Sequence, residues 1–152
     1  MRAAAVLFPV LLATGAFAQG SGPPPFSDDQ VRRVLSLALD NIGRALCANS
    51  QPCSPATAAE KESPPITIAE ARTIMHRGIL SAAAEHCGLD WQSRNFAPMT
   101  SYWRRDMKKS ERQMALVVML HGIMQGMAKP TGRGSCTASE RQNLEQVLAF
   151  RP

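Results

Sequence analysis

The sequence predicts an all-α fold, a small bundle of about five helices with a buried central helix and two disulfides. Three observations carry that expectation. Four helix starts share one grammar, a Ser or Thr followed three residues later by Glu or Gln. Apolar residues then recur at three- and four-residue spacing. Strand signals are missing: there is no alternating β-branched run and no Asn-Gly or Asp-Gly hairpin.

Residues 1–18, "MRAAAVLFPVLLATGAFA", read as a secretory signal peptide. Arg2 supplies its positive start, Ala3 to Leu12 its apolar centre, and Ala16-Phe17-Ala18 a small-x-small cleavage site. The apolar stretch is too short for a bilayer of about 30 Å, and Pro9 weakens it as a helix. Cleavage after Ala18 leaves a chain starting at Gln19, with no cysteine there to carry a lipid. The expected location is therefore periplasmic or secreted. Loss of Arg2 lowers the formal charge of +5 by one. A charge so small and scattered suits an anionic surface and argues against nucleic acid as partner. Residues 19–26, "QGSGPPPF", read as a flexible mature N-terminus, and 27–152 as a single helical domain.

The helices follow in order. Ser27 and Gln30 form the first capping box, with Phe26 and Val31 as a hydrophobic staple. Val31, Val34, Leu35, Ala38, Leu39, Ile42, Ala45 and Leu46 then make one stripe of a helix running to about Cys47. "QPCSPATAAEKESPP" reads as a linker. Thr67 and Glu70 open a second helix whose apolar side carries Ile68, Ala71, Met75, Ile79, Ala82, Ala83 and His86. Gly88 is its expected stop, with Leu89 supplying the accompanying contact. Pro98 belongs in the first turn of a short helix ending near Lys108. Ser110 and Gln113 open the central helix, which Pro130 ends by about Lys129. Thr137 and Glu140 open the last helix, whose apolar side is Leu144, Val147 and Leu148.

The central segment, "SERQMALVVMLHGIMQGM", raises three functional possibilities. As a membrane span it fails, because His121 interrupts the run after Leu120 and a span needs about 20 apolar residues. As the centre of a bundle it fits, since apolar residues cover most of the circumference. Gly122 and Gly126, each costing about 1 kcal/mol inside a helix, then suggest a close helix crossing. As a copper-type site it offers Met114, His121 and Met124, because thioethers with an imidazole select soft metals. Met107 shares the seven-residue spacing. Methionine is also the common filler of irregular cores, and no Met-x-x-Met cluster or His-rich tract supports a metal. No cofactor is expected.

Four cysteines in an exported chain imply two disulfides. Cys47–Cys53 and Cys87–Cys136 are the favoured pairs among three possible pairings. A bridge closing a loop of about 50 residues contributes on the order of 4 kcal/mol in the loop-entropy picture. No redox, haem-attachment or zinc spacing is present.

No catalytic motif stands out. His76 and His86 lie on the second helix without a recognisable partner, so an enzyme with a histidine site is a minority expectation. Glu62-Ser63 resembles the Glu-Ser pair of lytic transglycosylases in those two residues alone. The segment "LDWQSRNFAPMTSYWRRDMKKSER" is different in kind, combining aromatic and basic residues in an irregular stretch. Trp, Tyr and Arg dominate binding hot spots. Trp91, Tyr102, Trp103, Arg104, Arg105, Lys108 and Lys109 are therefore the candidate partner-binding residues. The leading expectation is a non-enzymatic binding or adaptor protein meeting a protein or an anionic envelope component.

Overall fold

A computed structural model describes residues 26–47, 50–129 and 135–152, so the expected signal peptide and residues 19–25 lie outside it. Its elements are α1 (Asp28–Asp40), a 3-10 turn (Ile42–Arg44), α2 (Ala58–Glu62), α3 (Ile68–His86), a π turn (Gln92–Phe96), α4 (Ala97–Arg105), α5 (Glu111–Met127) and α6 (Ala138–Val147). The fold is all-α, with α5 at its centre against α1, α3 and α4. All four expected boxes form, each with a side-chain oxygen accepting the third backbone N–H and the Glu or Gln returning to the cap. Both expected disulfides, Cys47–Cys53 and Cys87–Cys136, are present.

The helix boundaries follow local chemistry with some corrections. The first helix stops at Asp40, short of Cys47. There the Asn41 amide donates to the Leu37 carbonyl at 2.9 Å and satisfies one of the helix's terminal acceptors. The chain turns away, and Leu46, expected on the buried stripe, is 63% exposed. The supposed linker contains α2, opened by a fifth box from Thr57 and Glu60. Arg112 of α5 forks onto Glu60 at 2.6 and 2.7 Å and donates to the Ser54 carbonyl. The Arg112 hydrogen bond, helped by the Thr57 N–H, pulls the Glu60 carboxyl down to about 2. The third helix ends as expected. Gly88 takes φ +65, and the Leu89 N–H returns to the Ala84 carbonyl at 2.8 Å.

Pro98 has a longer reach than a helix start. It has no N–H for the Arg94 carbonyl four residues back. The preceding turn widens to a π turn, and the freed carbonyl accepts the Phe150 N–H at 2.9 Å. The C-terminal segment is thus docked on α4's entry. That helix stops at Arg105 rather than near Lys108, which has φ 53. Met107 lies in the turn, so it shares no face with Met114 and His121.

Gly78 lets α3 and α5 approach closely. A Cβ at Gly78 would sit 2.6 Å from the His121 carbonyl oxygen and 2.8 Å from Met124 Cβ. The crossing expected at Gly122 and Gly126 lies elsewhere, since a Cβ at either meets nothing within 4 Å. Among the described residues, one flank of α5 is therefore uncovered, and Val118 is 43% exposed. Gly78→Ala is expected to lower stability by about 1–3 kcal/mol through overpacking. Gly122→Ala should raise it by up to about 1 kcal/mol through helix propensity. Thermal unfolding of the two variants checks the opposite signs. Equal shifts would remove Gly78 as the crossing point.

Candidate functional site

The third helix buries a face rotated from the expected one: Ala71, Ile74, Met75, Gly78, Ser81 and Ala82 point inward. Ser81 lies on that face, 0% exposed, and needs a partner. The π turn supplies one by turning Asn95 inward. Arg77 Nε donates to Asn95 Oδ1, and Asn95 Nδ2 donates to the Arg77 carbonyl and to Ser81 Oγ, both at 2.8 Å. Both amide hydrogens are then in use, so Ser81 accepts from Asn95, and its hydroxyl lies in hydrogen-bond contact with His121 Nε2 at 2.9 Å. Burial, followed by the nearby Arg77 charge, pushes His121 down to about 4.

A serine hydroxyl beside an imidazole has the heavy-atom geometry of a nucleophile and its base. Here His121 is 1% exposed, with Phe96 at 4.8 Å and Trp91 stacked at 6.0 Å between ring centroids. No substrate reaches the pair in this packing. The relay instead joins α3, α5 and the π turn. Through Arg77 it also reaches the Leu148 carbonyl at 2.6 Å. Arg77, Ser81 and Asn95 were missed in the sequence. Their only signal is Ser81, a polar residue in phase with Ala71, Met75 and Gly78.

The candidate metal donors are spread along α5: Met114 and His121 are seven residues apart, about 10 Å along the axis. His121 Nε2 is in hydrogen-bond contact with Ser81, and Met124 packs its Cβ toward Gly78. Among the described residues no cluster of three or more His, Cys, Asp or Glu side chains is placed to hold a metal.

Among the described residues, neither remaining histidine makes a hydrogen bond or salt bridge to a carboxylate. His76 is half-buried against Phe26, with ring centroids 4.9 Å apart, and burial followed by Arg72 lowers its pKa. His86, expected within the apolar stripe, is exposed. It opens into a cleft of about 390 Å³ with Glu140 and Asn143 of α6. One Glu140 oxygen already accepts the Thr137 N–H and hydroxyl, each at 2.8 Å. The cysteine lining that cleft, Cys87, is in a disulfide. Glu62 and Ser63 sit exposed at the end of α2.

The aromatic-basic residues divide between interior and surface. Trp103 is 4% exposed in the core, and its Nε1 has no hydrogen-bond partner. Trp91 is half-buried over His121, and Tyr102 packs on Phe150. Lys109 pairs with Glu70 at 2.6 Å, half-hidden beside the Trp103 ring. Arg104, Arg105 and Lys108 are exposed, and Arg104 pairs with Glu111.

Arg104 also marks one end of a surface groove of about 580 Å³ along the uncovered flank of α5. Ala115, Val118, Met119, Gly122 and Ile123 floor it, with Ala45 and Leu46 from the disulfide-closed turn beside them. Arg44 and Glu111 complete the rim. Among the described residues, Arg44 has no carboxylate partner. The groove was missed because the central helix read as apolar, and hence buried, on all sides.

No protein-family profile matches the chain, and neither the characterised proteins nor the solved structures include a significant match.

The relay makes a pH prediction. An unfolded histidine takes its proton as pH falls through 6.5, whereas folded His121 resists until about 4. Its contribution is complete above pH 6.5 and is lost on acidification across that window. At about 1.4 kcal/mol per pH unit, the loss reaches roughly 3 kcal/mol. Urea unfolding from pH 7 to 4 should show that slope, and His121→Gln should flatten it. An unchanged slope in the variant would assign it to other groups.

Proposed function

We propose that this chain is an exported, non-enzymatic binding or adaptor protein whose partner seats in the α5 groove. One observation carries the reading: among the described residues an apolar strip along α5 stays open to solvent, while many of the polar side chains suited to chemistry are engaged in the fold. Ser81 and His121 are sealed in the relay, and Glu60, Glu70 and Glu85 are held in ion pairs. Exposed apolar residues that line a shared concavity are the usual mark of an interaction site. The two disulfides fit an oxidising compartment, in keeping with the signal peptide read in residues 1–18.

The binding surface differs from a simple aromatic patch. Trp91, Tyr102, Trp103 and Lys109 contribute packing, whereas Arg104 lines the groove and Arg105 and Lys108 are exposed beyond it in sequence. Native mass spectrometry of the non-reduced protein from its own cell envelope tests this. The expected spectrum shows a chain starting at Gln19, lighter by four hydrogens for two disulfides, with a protein adduct that Val118→Glu removes. An adduct retained by Val118→Glu, or a metal ion bound through His121, would overturn the reading.

A further inference from the structure

We infer that the groove receives an amphipathic helix of another protein, with acidic residues flanking its apolar stripe. This rests on the binding reading above and adds the chemistry of the partner. The groove follows α5 from Glu111 to Ile123, about 18 Å at 1.5 Å per residue. That length matches about three turns of helix, close to the mean in globular proteins.

The floor suits a helix. Gly122 faces open space, so the bare backbone of α5 is exposed near the Ile123 end of the groove. Paired helices approach to about 8–10 Å, and small residues at the contact allow the near end of that range. Val118 and Leu46 stand on the surface as apolar contacts, 43% and 63% exposed. Met119 between them adapts to irregular side chains.

The charge selects the partner. Arg44 lies on one wall and Arg104 at the α4 end. Arg105 and Lys108 extend the turn beyond Arg104, and neither is in an ion pair among the described residues. The groove itself is lined by two cations, Arg44 and Arg104, and one anion, Glu111, which pairs with Arg104 and leaves Arg44 unpaired among the described residues. Acidic flanks meet an attractive field there and basic flanks a repulsive one. A second copy of this chain would bring the same cationic rim against itself.

The test uses two synthetic, fluorescein-labelled peptides of about fourteen residues, one Leu/Ala stripe flanked by Glu in one and by Lys in the other. Anisotropy is measured against the full chain with disulfides intact. The Glu-flanked peptide should bind, at least about tenfold tighter than the Lys-flanked one, and added salt should narrow the gap. Arg44→Glu should weaken it about tenfold. Gly122→Leu should abolish binding by filling the floor, with no fall in Tm, since leucine is the better helix former.

Equal binding of the two peptides, or binding retained by Gly122→Leu, overturns the inference. So does a dimer in native spectra that Val118→Glu dissolves. Displacement of the peptide by myristate would overturn it in favour of a lipid. If neither peptide binds while the native protein adduct still depends on Val118, the helix inference falls alone. If that dependence is also absent, the binding reading falls with it.

Discussion

The close crossing of α3 over α5 is the constraint on which the rest of this structure depends. Gly78 permits it, because any side chain there would press on the α5 backbone at His121. The approach brings Ser81 within 2.9 Å of His121 and presents both to the π turn. It also settles which side of α5 is covered. The face toward α3 carries His121 and Met124, and the opposite flank, with Gly122, is left to solvent.

The polar relay at that crossing is buried, and burial makes its completeness decisive. A hydrogen bond adds only about 1 kcal/mol net, but an unpaired buried group costs about 1–3 kcal/mol. Asn95, Ser81 and the Nε2 of His121 are each paired, and Arg77 extends the network to the C-terminal segment. The last helix needs such ties, since none of its own residues is buried. It is held by the Cys87–Cys136 bridge, by Arg141 on the Cys87 carbonyl at 2.6 Å and by Arg94 on the Glu145 carbonyl at 2.9 Å. The disulfide, at about 4 kcal/mol, outweighs either hydrogen bond alone.

The same accounting frames the functional reading. A small domain spends its polar side chains on ends and crossings, because helix termini and buried groups must be satisfied. Arg112, Lys109, Arg72 and Arg77 all join segments distant in sequence. The groove along α5 joins nothing within the described residues, and its apolar floor stays in water. That contrast motivates placing recognition there rather than at any histidine.

Much of the architecture was legible in the sequence because its signals are local. A capping box needs only residues three apart, so the Ser27, Thr67, Ser110 and Thr137 starts could be read directly. Thr57-x-x-Glu60 was as readable, but the prolines around it disguised a five-residue helix. Four cysteines in a chain read as exported led to two expected disulfides, and the pairing favoured among three is the one the structure forms. The sequence could not decide which of several equivalent patterns meets a partner. Gly78, Gly122 and Gly126 look alike along the chain, yet only Gly78 lies under another backbone. Trp103 reads as a hot spot and packs as core, while Leu46 reads as core and stands exposed. The sequence alone determined where four of the helices begin, because a cap and its partner share one turn. Only the tertiary structure decided what each face meets, because burial depends on backbones brought together from tens of residues away.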